Sequence, residues 1–79
     1  MGYIGEHVTL DDPAFIHESA WLYGKVYVGS GASIWPNVVT RAETFEIRIG
    51  ARTNIQDFGM IHVGIGSPTI IGEDCSITH

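Results

Sequence analysis

Aliphatic residues recur at every sixth position along much of this chain: Ile16, Leu22, Val28 and Ile34, then Ile49, Ile55 and Ile61, then Ile71 and Ile77. Two residues before each stands a small or β-branched one: Ala14, Ala20, Val26 and Ala32, then Ile47, Thr53 and Gly59, then Thr69 and Cys75. A period of six fits neither a helical face nor a simple two-sided strand. It fits hexapeptide repeats, in which short strands alternate with corners and stack into a parallel β-helix. The pattern predicts an all-β fold with three strands to the coil. Gly29, Gly50 and Gly72 each follow a core aliphatic, where a tight corner can require a backbone without Cβ. Asn37 and Asn54 suit other turns. Residues 1–13 read as a lead-in closed by Asp11-Asp12-Pro13, and 14–79 as the repeat domain.

The count slips twice. Three extra residues fall between Thr40, which takes the next core slot, and Ile49, around Glu43-Thr44-Phe45-Glu46. Four fall between Ile61 and Ile71, in Val63-Gly64-Ile65-Gly66-Ser67-Pro68. Both are expected to be loops projecting from corners, on the side that repeat proteins often use for binding. The repeats yield about three to four coils, and the last strand, Ile77-Thr78-His79, stops in mid-hexad. An open coil end leaves unpaired strand edges. The expectation is therefore a β-helix incomplete at its C-terminus, the piece of a longer chain, or else an end covered by oligomerisation.

The polar residues fall into register when the three faces are labelled in chain order. Ile16 opens face A, Leu22 face B and Val28 face C; Ile34 returns to A and Thr40 to B. Ile49 opens C, Ile55 A, Ile61 B, Ile71 C and Ile77 A. Arg41 and His62 are then the second residues of successive face-B hexads and should stack about 5 Å apart. Asp57 and His79 stack likewise on face A, with Gln56 beside Asp57. The two clusters lie on different faces. A rotational trimer would set face B of one subunit against face A of the next, and cyclic symmetry lets such a contact close.

Composition narrows the partners. The net charge is −5, and the only cations are Lys25, Arg41, Arg48 and Arg52, which argues against nucleic acid and anionic membranes. No apolar run approaches the roughly 18 residues of a membrane span, and Met1–Leu10 lacks the pattern of a signal peptide. Cys75 is the single cysteine and occupies a small core slot, so packing is its expected role. A reducing, cytoplasmic compartment is expected.

Two histidines with a carboxylate and an amide nearby suggest metal chemistry. Catalytic zinc takes three protein ligands and keeps an open position for a water, whose pKa falls to about 7. Gln56 could hydrogen-bond the resulting hydroxide, and Asp57 could pair with Arg41 across the interface. The plainer alternatives are that His62 is a solvated corner histidine and that Arg41 and Asp57 form only a structural ion pair. His7 and His17 lie outside both clusters and read as surface histidines. Trp21, Tyr23, Tyr27 and Trp35 read as cover for coil faces or as a subunit contact.

At Arg52-Thr53-Asn54-Ile55-Gln56-Asp57, followed by Ile61-His62-Val63, the chain resembles the γ-class carbonic anhydrase family. Ser33-Ile34-Trp35-Pro36 leading to Arg41, Ile47-Arg48-Ile49-Gly50 and Ile71-Gly72-Glu73-Asp74 agree with it. The resemblance implies a left-handed parallel β-helix, an exception to the usual right-handed crossover. It implies a homotrimer with zinc (iron or cobalt in some members) at the subunit interfaces, hydrating carbon dioxide reversibly by metal-bound hydroxide. By this resemblance His62 is the first metal ligand and His79 the second, supplied by the neighbouring subunit. Arg41 ties subunits together, Asp57 is its acidic partner, and Gln56 lies near the metal-bound water. Asn54 matches the asparagine of the motif. Two features depart from the family: Glu43 stands where an aspartate is usual, and the third histidine, about five residues after the second, is not in this sequence. The rival readings are a hexapeptide acyltransferase using an acyl-CoA and a non-catalytic metal-binding or assembly protein.

Overall fold

The computed structural model describes residues 2–62 and 69–77. All regular structure among them is strand, and all of the strand pairing is parallel. Face A is a sheet of four two-residue strands, β3 (Phe15–Ile16), β5 (Ser33–Ile34), β7 (Asn54–Ile55) and β10 (Ser76–Ile77), stacked in that order. Faces B and C are joined because β4 (Trp21–Val28) and β6 (Val39–Ile49) each bend around the corner between them. β1 (Tyr3–Ile4) and β8 (Met60–His62) flank them on face B; β2 (Thr9–Leu10) and β9 (Thr69–Ile71) flank them on face C. The result is a β-solenoid of about three turns with the architecture of a left-handed β-helix.

The hexad slots fill the interior. Leu22, Thr40 and Ile61 stand in register, as do Val28, Ile49 and Ile71 on the next face and Ile34, Ile55 and Ile77 on the third. Leu22, Val28, Ile34, Ile49 and Ile55 are wholly buried, and so are Ala32, Ile47 and Thr53 from the slot two residues earlier. A six-residue period thus gives each coil layer an aliphatic residue from every face, with small side chains filling the corners between them.

The solenoid begins earlier than the expected lead-in. β1 pairs with β4 through Tyr3↔Trp21 and Ile4↔Leu22, and β2 pairs with it through Thr9↔Tyr27 and Leu10↔Val28. Leu10 and Ile4 lie six and twelve residues before Ile16 and continue its count backwards. Asp11-Asp12-Pro13 is a corner, in which Asp12 takes φ 50°.

The first interruption is a bulge inside a strand rather than a loop outside one. β6 runs unbroken from Val39 to Ile49. Its pairing with β4 passes from Ala42↔Gly24 to Ile47↔Val26, so the extra residues are absorbed at the corner of faces B and C. The second interruption, Val63 to Pro68, lies outside the described residues.

The corner glycines are required by close packing of backbone on backbone. A Cβ at Gly50 would lie 2.6 Å from the Gly72 carbonyl group, and one at Gly29 would lie 2.8 Å from the amide nitrogen of Ala51. Left-handed backbone is instead taken by Asn37 (φ 60°), as a turn residue should, and by Arg52 (φ 58°), Phe58 (φ 61°) and Asp74 (φ 55°). Asn54 is not in a turn. It lies in β7, where its side-chain oxygen accepts a hydrogen bond from the Ser33 hydroxyl on the coil below.

Two buried threonines behave oppositely. Thr53 Oγ1 donates to the Gly72 carbonyl at 2.6 Å and accepts from the Cys75 amide at 3.2 Å, clamping successive coils. Thr40 Oγ1 is buried with no hydrogen-bond partner. An unmatched buried hydroxyl costs about 1–3 kcal/mol. Thr40→Val, which keeps the shape and removes the hydroxyl, is expected to stabilise the fold by about 1 kcal/mol. A rise in the urea midpoint with an unchanged slope would show it, and a fall would mean that the hydroxyl has a partner.

On the corner between faces C and A, Arg52 Nε donates to Asp74 Oδ1 at 2.8 Å, and Arg52 Nη2 reaches Asp74 Oδ2 at 3.1 Å and Glu73 at 3.3 Å. The hydrogen bonds from Arg52 hold the Asp74 carboxyl below the usual aspartate range. A lowered folded-state pKa stabilises above the unfolded value and loses that stabilisation as pH falls through the folded one. Stability should therefore be level from pH 7 to 5 in this respect and decline below about pH 4. Asp74→Asn should flatten that acid limb, as measured by urea unfolding at several pH values; an unchanged limb would assign acid sensitivity elsewhere.

Candidate functional site

Register on face B brings Arg41 and His62 together. β6 and β8 pair Val39↔Met60, Thr40↔Ile61 and Arg41↔His62. Thr40 and Ile61 point into the core, so strand alternation turns their successors outward. The side chains meet there, with Arg41 Nη2 3.2 Å from His62 Nε2. A guanidinium has donors only, so Nε2 is the acceptor of this hydrogen bond. The same lone pair is the one a cation would need. Coordination through Nε2 and the bond from Arg41 are therefore mutually exclusive.

Gln56 and Asp57 occupy the corner that leads from face A to face B. The Gln56 amide donates to the Ile77 carbonyl at 2.8 Å, and the Gln56 carbonyl accepts from Gly59 at 3.0 Å. These bonds fix the corner while both side chains stay half-buried. Among the described residues, no hydrogen bond or ion pair joins Asp57 to Arg41. His79 lies outside the described residues, as does the side chain of Glu43.

Among the described residues no three His, Cys, Asp or Glu side chains converge as a metal cage. His62 fits as one nitrogen donor, exposed at the rim of face B. One imidazole is short of the three protein ligands that a catalytic zinc takes.

Two supporting devices lay outside the expectation from sequence. Trp35 Nε1 donates to Ser33 Oγ at 3.1 Å, and Ser33 in turn donates to Asn54, so the asparagine beside Gln56-Asp57 is anchored by a ladder on the outside of face A. His17 is a corner staple rather than a plain surface histidine: its Nδ1 accepts from the Ser19 amide at 3.1 Å, and the Ser19 hydroxyl, 2.8 Å from Nδ1, also receives the Asn37 amide at 2.8 Å. The His-x-Ser spacing at a corner was the available signal for this staple. His7 is exposed, 3.7 Å from the Glu6 carboxylate.

The outside of the solenoid carries aromatic pairs. Tyr3 and Trp21 have ring centroids 5.0 Å apart on face B, and Phe15 and Trp35 5.1 Å apart on face A. On face C the Arg48 guanidinium lies over Tyr27 at 4.4 Å, and the Tyr27 hydroxyl donates to Asp11 at 2.7 Å.

No family model matches the chain. Individual relatives do. It is 42% identical over 85 residues to γ carbonic anhydrase 3, mitochondrial, of Arabidopsis thaliana, covering 100% of this chain and 33% of that protein. It is 42% identical over 64 residues to a probable carbonic anhydrase of Methanocaldococcus jannaschii, covering 81% of this chain and 40% of the other. An uncharacterised transferase, YtoA of Bacillus subtilis, is 39% identical over 66 residues, 84% of this chain and 39% of its own. The chain thus spans between about a third and two fifths of the length of these relatives. Over the stretch that it spans, the chain is therefore similar to proteins named carbonic anhydrases, the γ class among them.

Proposed function

We propose that this chain contributes to a carbonic anhydrase in which zinc is held between copies of the chain in a homotrimer. The observation that carries the reading is the split site. Arg41 and His62 stand together on face B, and Gln56-Asp57 stand apart at the corner of faces A and B. A neighbouring copy turned about a three-fold axis could bring one cluster to the other. The apolar outside of face B supports such a contact, since Tyr3 (42%), Trp21 (44%) and Met60 (58%) all remain exposed in the single chain.

In this reading His62 and, from a neighbouring copy, His79 would each give one ring nitrogen to the cation, and a further donor would complete the set. When bound, such a cation acts as a Lewis acid that makes a water acidic near neutral pH. The chain's own residues do the rest. Arg41, freed from His62 Nε2 when that nitrogen serves a cation, would pair through its guanidinium with Asp57 across the contact and so fix the register of the two copies. Gln56 has both an N–H donor and a carbonyl acceptor, with which it orients carbon dioxide or bicarbonate. In the net reaction the oxygen of water adds to the carbon of carbon dioxide and one proton leaves to solvent.

No helix among the described residues is long and apolar enough to cross a membrane. The unpaired Cys75 supports a reducing, cytoplasmic setting.

The test is stopped-flow hydration of carbon dioxide by the full natural chain, with metal content and sedimented mass measured on the same sample. Hydration that rises with zinc, iron or cobalt loading of a trimer supports the reading. Bound metal without hydration would leave a metal-binding assembly protein, and metal-independent acyl transfer from an acyl-CoA would make it an acyltransferase.

A further inference from the structure

Phe58 is placed where a bulky residue is least expected. Its backbone is left-handed, with φ 61°, and its side chain is 70% exposed. Such a conformation is unfavourable for a bulky side chain, and strain of this kind persists where something else requires the residue. The corner asks for left-handed backbone, as it does at Asn37 (φ 60°) one coil below, but nothing among the described residues asks for an aromatic side chain there: the Phe58 amide donates to the Pro36 carbonyl at 3.0 Å, a bond that any residue could make.

A complementary feature lies at the other edge of face B. A cleft of about 530 Å³ opens at the corner of faces B and C. Tyr3, Tyr23 and Phe45 give it aromatic walls, Gly5, Gly24 and Ala42 leave the space, and the remainder of its lining is polar. Pockets of roughly 300–1,000 Å³ hold whole small molecules, so one aromatic ring enters easily.

We infer that Phe58 of one copy seats in this cleft on the next. The inference rests on the assembly proposed above and assigns the contact that registers it. A protrusion on one part of a surface that fits a cavity on another makes a head-to-tail contact, which closes into a ring when the rotation allows. The flanking charges agree. Asp57 immediately precedes Phe58, and Arg41 immediately precedes Ala42 of the cleft. Seating the ring beside Ala42 brings the carboxylate to the guanidinium of the other copy, and with it Gln56 toward His62. Phe58 is thus a positioning residue for the shared site: it acts on the reaction through assembly alone.

The experiment uses the full natural chain and its Phe58→Asn variant, since asparagine accepts left-handed backbone. Sedimentation equilibrium is read with hydration activity across a range of protein concentrations. Phe58→Asn is expected to keep the fold, raise the dissociation constant of the assembly by about tenfold or more, and recover its hydration rate at high concentration. Phe58→Trp should restore association. In a Cys75→Ser background, Phe58→Cys with Tyr23→Cys should form a disulfide between copies under oxidising conditions. An assembled wild type with an equally assembled Phe58→Asn variant, or with no disulfide between copies, would overturn the seating of Phe58 and leave the assembly reading intact. A wild type that is monomeric at every concentration would overturn both.

Discussion

Gly24→Ala is expected to destabilise the fold by roughly 3–5 kcal/mol for a single added methyl. Two costs coincide at this position. Gly24 has φ 87°, a region that costs an L side chain about 1–2 kcal/mol by itself. The added Cβ would also stand 2.2 Å from the Ala42 carbonyl oxygen and 2.6 Å from its carbon. That carbonyl belongs to β6, at the corner where β4 and β6 turn together from face B to face C. Moving it disturbs pairing on both faces, because β6 is hydrogen-bonded to β4 below it and to β8 and β9 above it. Gly31 is the internal control. Its φ is 72°, but a Cβ there meets first the flexible Arg52 side chain, at 3.2 Å, and then the Arg52 backbone at an ordinary contact distance of 3.9 Å. Gly31→Ala should cost only the conformational part, about 1–2 kcal/mol. Urea midpoints followed by circular dichroism compare the two. A small domain has little stability to spare, so Gly24→Ala should be largely unfolded in water while Gly31→Ala remains folded. Equal losses would mean that backbone conformation, and not the contact with Ala42, sets the cost.

The period of six made the fold legible because it follows directly from coil geometry: each face must send one aliphatic side chain inward per coil. The same period placed Arg41 against His62 before any coordinates, since register in a solenoid is a matter of counting. The misreadings arose where another force overrode the obvious signal. Asp11-Asp12-Pro13 looked like an end, yet turn residues also make corners, and Ile4 and Leu10 kept the count on the far side of it. The residues after Arg41 looked like a loop, but pairing on both faces kept β6 in strand through the corner and absorbed them as a bulge. Asn54 carries a turn residue's chemistry, but its side chain found the Ser33 hydroxyl one coil away and stayed in a strand. Such contacts between residues 21 positions apart leave no local trace. The exposed left-handed Phe58 was equally hidden, because nothing in the local sequence announces a conformation that the residue itself disfavours.

His62→Ala should abolish the proposed metal binding and hydration while leaving the fold in place. The side chain is exposed on the outside of face B, so its loss should change stability by no more than about 0.5 kcal/mol. Its ring nitrogen is the one metal donor on the described part of face B that stacks with Arg41. If it ligates the cation, deletion should cost at least the 10–100-fold that loss of mere supporting partners causes, and metal content should fall in parallel. His17→Ala provides the opposite pattern. That histidine accepts the Ser19 amide at the corner from face A to face B, and its removal leaves a half-buried donor unmatched. A loss of about 1 kcal/mol is expected there, with metal content and hydration per folded molecule unchanged. Metal analysis, stopped-flow hydration and urea unfolding on both variants separate the two roles. A His62→Ala protein that keeps its metal and its rate would place the metal site away from face B. A His17→Ala protein that loses metal would mean that the corner it staples also orients Gln56 and Asp57, because Asn37, whose amide is held by Ser19, lies on that same corner one coil below them.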